Sequence, residues 1–560
     1  MLDFVIVFQW LTKILEKLVL LSEWLLRPLG WIVLAVIIGL AAFLPGKGFR
    51  RMLDPFFWVL LAGAVIVNIF LWSTLGYVTL LFFVPAAIFV LVDSERVAKE
   101  KKVICRLGGF EWDRNDFCRG WLITGTTGCG KTQSGINNLL HQVFQNETTP
   151  PWGGVCIDEK GLYYHILVEM AGTYSRAHHL KLLQTRPADA PADWRPPAIF
   201  NLLSNDKIPS GTYATAIVDT AAALSGGEGD KGFFKTQAHS QIAKGIDLLR
   251  VMGRSPTLTD LYDILQNQNR LKACLAEISP LVQAGNRDAI ALDRHFTENF
   301  LKQPPDQLGG VIGTIYNYLN YFTHPEIAEV FCNANQTFDL SEIDQGAIVC
   351  VAMPQKFATE RRYVSTILKL LFYQHVLNRF DNGKELKGGS KNVLILWQDE
   401  AQRFVTVSDG NVDVIREAYG TTVMACQSKM SLVPPLGGKE KAQVTMLNLR
   451  NRIIMQAADR ECADMSADFI GKKMQWKKSY SHSDGGRSTS VSRSEEEQYQ
   501  VKPHELMELP KFTAIITHAA KGWKKSILPP ISPDGTLPSW YSGDVPFWFR
   551  AKRKRKKAKA

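Results

Sequence analysis

Residues 125–132 read GTTGCGKT, which places Gly125, Gly130, Lys131 and Thr132 at the spacing G-x-x-x-x-G-K-[ST]. Few motifs of this size constrain a fold so far. Glycines let the backbone curl until successive N–H groups point inward and cradle phosphates, and a helix must follow so that its N-terminus adds favourable charge. The flanks meet that demand. WLIT (121–124) has the pattern of a short buried strand, and KTQSGINNLLHQVF (131–144) carries apolar residues near helical spacing. Strand, loop and helix therefore occur in the order the chemistry needs. The reading assigns phosphate contact to the loop, with Thr126, Thr127, Gly128 and Cys129 between its fixed positions. It gives Lys131 to the β- and γ-phosphates of ATP and Thr132 to Mg²⁺.

Such a loop needs acidic company at the carboxyl end of a parallel strand. GGVCIDEKG (153–161) is a short apolar strand ending in Asp158, with Lys160 close behind. NVLILWQDEAQRF (392–404) is a second, ending in Asp399 and Glu400. In this place Asp399 organises Mg²⁺ through its water shell and Glu400 polarises an attacking water. TTVMAC (421–426) is a third strand, followed by Gln427, a position from which a polar side chain can sense a terminal phosphate. A strand from Arg452 to Gln456 comes next, flanked by Arg450 and Arg452. Either arginine is a candidate finger for a neighbouring subunit's nucleotide; a surface or structural role is the other reading of each.

The alternation of strands and helices predicts a parallel α/β sheet. Between about 209 and 329 the strand signals stop and helical patterns take over, with Thr257 and Asp260 of TLTD resembling a capping box. This predicts an all-α domain inserted into the nucleotide-binding domain. The polar, Ser- and Gly-rich stretch 477–500 reads as a mobile loop, and the last forty residues as irregular.

The amino-terminal end has a different chemistry. Pro28 to Gly46 and Pro55 to Val92 carry no charged residue. The first is near the length of one bilayer crossing and the second about twice that. Three crossings are expected within 28–92, with 1–27 as an amphipathic interfacial segment or part of a fourth crossing. Lys47, Arg50 and Arg51 between the first two, and Arg96, Lys99, Lys101 and Lys102 after the last, place everything from about 93 onward in the cytoplasm. The nine cysteines show no CxxC pair and sit in apolar stretches, as buried free thiols do in a reducing compartment. No metal-ligand cluster of His and Cys is visible. The formal net charge is +11, and the last eleven residues, RAKRKRKKAKA, hold eight of the basic side chains. That tail suits nucleic acid, anionic lipid, an acidic partner or plain solvation.

Taken in order, LITGTTGCGKT, VCIDEKG, FNLL (200–203), the helical insertion, FDLSEIDQGAIVCVAMP (338–354), LILWQDEAQRF, a strand ending in Gln427-Ser428, and HELMELPKFTAII (504–516) come after membrane crossings. The set resembles the type IV secretion coupling proteins of the TraG/TraD kind, ATPases of conjugative DNA transfer, over about residues 28–520. The chain departs from that pattern in a third crossing and a basic tail. The resemblance implies a RecA-like P-loop domain (93–208 and 330–530) with an inserted all-α domain (209–329), an irregular carboxyl end (531–560), and assembly into a hexamer with nucleotide at subunit interfaces. It implies an inner-membrane ATPase that passes relaxase-bound single-stranded DNA, or protein effectors, to a secretion channel. Residue by residue it puts nucleotide on 125–132, metal and water on Asp399 and Glu400, and sensing on Gln427. Asp158 and Lys160 become an element near the nucleotide. Two other readings stay open. A double-stranded DNA translocase of the FtsK/SpoIIIE kind would carry a long linker and a terminal DNA-reading domain. A nucleotide-dependent receptor for protein effectors would assemble rather than pump.

Overall fold

The computed structural model describes residues 103–146, 150–224, 232–382, 392–482 and 489–549. All fall in one of two compact units of the chain, Lys102–Ala560. The expected amphipathic segment, the three crossings and the basic tail lie outside the described residues. Among the described residues no helix is long and apolar enough to cross a membrane.

The chain opens with a small hairpin, β1 (Val103–Leu107) and β2 (Phe110–Asp113). The strands of the main sheet are β3 (Trp121–Thr124), β4 (Gly153–Asp158), β5 (Leu180–Gln184), β6 (Ile348–Ala352), β7 (Leu394–Asp399), β8 (Gly420–Cys426), β9 (Asn451–Ile454), β12 (Thr513–His518) and β13 (Gly522–Ile527). Their spatial order is β13-β12-β9-β3-β8-β7-β4-β6-β5. From β9 to β5 every described pairing is parallel, while β12 and β13 run antiparallel at one edge. Strands β4, β6, β7 and β8 are buried at every position, which is why they read as unbroken apolar runs rather than alternating ones.

The two-residue period of a strand divides this core between two faces. Val155, Ile157, Leu394 and Leu396 face one side and share a single apolar core with the helices between 210 and 331 and with the helix Ala358–Asn378. The helical segment is thus welded to the sheet rather than packed around a core of its own. Leu122 and Met424 continue that side under residues 432–449, and Ile454 and Ile515 under the helix Arg460–Ile470. The opposite side, carrying Ile123, Cys156, Ile395, Trp397, Val423 and Ile453, packs against the helices Asn137–Gln145 and Tyr163–Thr173 and against Leu528, Ile531, Trp548 and Phe549. All nine cysteines are buried and free. Thr257 caps the helix Leu258–Gln266, its side chain accepting from Asp260 N.

Two expectations need correction. Within the stretch expected to be a loop, the described residues are paired: β10 (Lys472–His482) and β11 (Thr489–Tyr499) form a long antiparallel ribbon. The sequence misleads because solvent reaches both sides of the ribbon near its base, where 472–477 and 493–497 are exposed. Polar side chains there report exposure, not absence of backbone pairing. The expected irregular carboxyl end includes a strand, β13, and 528–549 are irregular but anchored by buried Leu528, Ile531, Trp548 and Phe549.

Two local features fix the strand ends and the chain that leaves β7. Gly154 lies in β4 at φ +151°, and an added Cβ would sit 1.9 Å from the Ile395 carbonyl oxygen of β7. Only glycine lets these two strands approach with the ends of β4 and β7 level. The second feature is a fully buried ion pair between Lys369, on the helix Ala358–Asn378, and Asp409. The Lys369 ammonium also donates to Phe404 O (2.6 Å) and Thr406 Oγ1 (3.1 Å). Asp409 accepts from Tyr373 Oη (2.6 Å), Thr406 N (2.7 Å) and Gln398 Nε2 (3.3 Å). Burial lowers the proton affinity of Lys369, and Asp409 opposes that shift. The chain leaving β7 is therefore tied down on both sides of Glu400.

Gly154→Ala is expected to destabilise the fold by about 3 kcal/mol or more, read by denaturant unfolding, because a backbone carbonyl cannot yield as a side chain can. Lys369→Met alone is expected to cost about 3–5 kcal/mol by leaving Asp409 charged and buried, whereas Lys369→Met with Asp409→Leu restores most of that loss. Equal melting temperatures for the single and double variants would show that the pair is not coupled.

Candidate nucleotide site

Parallel register assembles the site before any side chain is considered. Thr124 of β3 lies level with Cys426 of β8 and Ile454 of β9, and Asp158 of β4 level with Asp399 of β7. The loops leaving β3, β4, β7 and β8 therefore emerge at one edge, the carboxyl end of the parallel strands, where open α/β sheets bind their ligands.

The first of these loops is 125–130. Thr126 N donates to Gln456 O (2.8 Å), which ties the loop to the end of β9. Thr127 and Gly128 are exposed at its tip, and Cys129 is buried against Met455. Gly130 stands at φ +107° with the Phe512 ring where a Cβ would be, so no larger residue fits. The helix then opens with a wide turn, Lys131–Ile136, before the regular turns of Asn137–Gln145. Lys131 is buried, and its ammonium donates to Gly125 O (2.7 Å) and Thr126 O (3.1 Å). A cation held by two carbonyls of its own loop is poised for an anion.

The acidic side faces it. Thr132 Oγ1 donates to Asp399 Oδ2 at 2.9 Å, across the intervening strand β8. Burial pushes the Asp399 carboxyl up to about 6; the Thr132 hydrogen bond acts against this, and Asp158 and Glu400 reinforce it. Glu400 begins a tight turn in the left-handed region, φ +54°. Its Oε2 accepts from Gln402 Nε2 (2.7 Å) and from Gln427 Nε2 (3.3 Å). Gln427, exposed at the end of β8, thus reaches the carboxylate beside Asp399.

The remaining predicted residues have varied fates. Asp158 is buried and caps its own turn, accepting from the backbone N–H of Lys160 (2.5 Å), Leu162 (2.7 Å) and Tyr163 (2.7 Å). Lys160 is exposed, and its charge lowers the proton affinity of Asp399. Arg450 is exposed at the start of β9. Arg452 corrects an expectation: it is no finger for a neighbour. Its guanidinium is buried, donates to Leu449 O (3.3 Å) and Met446 O (2.8 Å), and lies 3.2 Å from the Phe469 ring centroid. Its alternation in β9 turns it into the chain's own interior.

Sequence reasoning missed the clamp on the Asp158 turn. Arg361, fully buried, donates to Met353 O (2.8 Å) and to Glu159 O, and the Arg362 Nε atom meets the Glu159 carboxylate at 3.0 Å. An added Cβ on Gly161 would lie 2.9 Å from Arg361, so turn and clamp fit each other. The only advance signal was two adjacent arginines at the start of a long apolar helix.

The family described as Type IV secretory system Conjugative DNA transfer matches residues 191–525, more than half of the chain. No curated protein matches the sequence. Among solved structures, the bacterial conjugative coupling protein TrwBdeltaN70 in its unbound monoclinic form is 14% identical with a TM-score of 0.52, covering 76% of this chain and 88% of that one. TrwB in complex with the ATP analogue ADPNP gives 14% identity and a TM-score of 0.53 over 76% and 89%. TrwB in complex with ADP and Mg²⁺ gives 14% and 0.50 over 76% and 88%. These likenesses concern the fold: a mixed α/β architecture around a large parallel sheet. With the family matched over 191–525, more than half of the chain and a range that holds Asp399, Glu400 and Gln427 though not the phosphate loop, the chain belongs to the type IV secretory system conjugative DNA transfer family.

Proposed function

We propose that this chain is the nucleotide-driven coupling ATPase of a conjugative type IV secretion system. It binds Mg²⁺ and ATP at 125–132 and uses hydrolysis to move relaxase-bound single-stranded DNA, or protein effectors, into the channel. The observation that carries the reading is the Thr132–Asp399 contact with Glu400 and Gln427 beside it. It joins a phosphate loop to an acidic pair, which phosphate binding alone would not require. The ADP, Mg²⁺ and ATP-analogue complexes of TrwB support the choice of ligand.

The chain's own groups divide the work. Loop N–H groups and the helix start hold the phosphates. Lys131 exchanges the Gly125 and Thr126 carbonyls for the β- and γ-phosphates. Thr132 and Asp399 would hold the metal, and their hydroxyl and carboxylate are a hard-oxygen donor set of the kind Mg²⁺ takes. Bound there, Mg²⁺ supplies charge neutralisation for the γ-phosphoryl transfer. Glu400 orients and polarises the water that attacks the γ-phosphorus as the bond to the bridging β–γ oxygen breaks. Gln427, already on the Glu400 carboxylate, couples that group to the end of β8. Arg450 remains a candidate for a neighbour's site in a homo-hexamer. Residues 28–92 anchor the chain in the inner membrane, with the ATPase unit in the cytoplasm. DNA contact through backbone phosphates makes binding fall with salt and depend little on sequence.

The test uses the full chain in detergent, assayed for ATP hydrolysis with and without single-stranded DNA. Hydrolysis is expected to rise several-fold with DNA, to vanish in Lys131→Ala, and to fall by about a hundred-fold or more in Glu400→Gln. Hydrolysis indifferent to DNA would favour protein cargo. An assembled wild-type protein without hydrolysis would sink the motor reading.

A further inference from the structure

The carboxyl-terminal segment does more than fill a surface. Past β13 it runs along the start of the phosphate-loop helix. Ile531 N donates to Gln133 O (3.0 Å), and Asn138 Nδ2 donates to Pro529 O (2.7 Å). Just before β12, Phe512 N donates to Cys129 O (3.2 Å), and Leu528 N donates to Phe512 O (2.7 Å). Phe512 holds a positive φ of +62°, uncommon for a bulky residue, and its ring is pressed against Gly130. Two further rings complete a cluster. Trp540 lies 5.8 Å from Phe512 at an interplanar angle of 33°, and Tyr541 lies 5.7 Å away at 79°. Phe512 is buried, whereas Trp540 is 56% exposed. An aromatic platform with one open ring therefore stands at the Gly130–Gln133 end of the phosphate loop.

This inference rests on the nucleotide reading of the loop, which sets the direction of the bound molecule. On that reading Lys131 would serve the β- and γ-phosphates and Thr132 the metal. The α-phosphate, and the ribose and base that hang from it, would then leave the loop on the Gln133 side, where the carboxyl-terminal segment passes. We propose that Trp540 is the stacking surface for the nucleobase, with Tyr541 closing one edge and Phe512 backing the indole. Stacking uses the π-face that every base has, so the platform holds purines without reading their hydrogen-bonding edges. Adenine and guanine nucleotides then gain from it alike.

The experiment titrates the full chain with MgATP, MgGTP and magnesium inorganic triphosphate, a ligand with no base. Trp540→Ala and Trp540→Leu are expected to weaken ATP and GTP by about ten-fold or more. Triphosphate affinity stays at its wild-type value. Trp540→Phe, which keeps a ring, retains most of the nucleotide affinity. The exposure of Trp540 makes a folded variant the expectation, checked by an unchanged melting temperature. Unchanged ATP affinity in Trp540→Ala would overturn the proposal, as would an equal loss for triphosphate. A wild-type chain that binds none of the three ligands would overturn the phosphate-loop reading and the platform with it. Loss of base-bearing ligands alone is the signature of the platform.

Discussion

The hydrogen bond from Thr132 to Asp399 depends on nearly everything else in the fold. It spans strand β8, joining residues 267 positions apart in the chain. It exists only because β3, β8, β7 and β4 are parallel and in register, so that their carboxyl ends finish level. Gly154 permits that register by letting β4 approach β7 without a side chain between them. A slip of one residue in the pairing of β7 with its neighbours would turn Asp399 to the other face of the sheet.

Holding charge in that position has a cost, and the surrounding structure meets it with specific partners. Asp399 is buried beside two other acids, Asp158 and Glu400, so its carboxyl is held up to about 6. Each neighbour is separately restrained. Asp158 spends its oxygens on backbone N–H groups of its own turn. Glu400 is held by Gln402 and Gln427 on a chain that the Lys369–Asp409 pair ties to a long helix. Burial of Lys369 and Asp409 together contributes little net stability, but it fixes where the chain goes after β7.

Much of this was legible in the sequence because it is local. The loop motif, its strand and its helix are contiguous, and the fully buried strands announce themselves as apolar runs. Asp399 and Glu400 were found because acid at a strand end has one obvious partner in a chain with a phosphate loop. What stayed hidden depends on distant pairing. Nothing in the spacing told that the lysine in YVSTILKLLFYQ meets an aspartate forty residues on. The ribbon β10–β11 was hidden by its polar surface, and Arg452 by the one-residue alternation that decides inside from outside. The aromatic cluster of the carboxyl-terminal segment is not legible because Pro-rich, irregular sequence carries no period from which packing can be inferred.

The most direct measurement of the central claim is a structure of the full chain with Mg²⁺ and a non-hydrolysable ATP analogue. The account predicts that the Lys131 ammonium leaves the Gly125 and Thr126 carbonyls for the β- and γ-phosphates, with the metal between Thr132 and Asp399. An analogue bound elsewhere, with Lys131 still on its own loop, would contradict it.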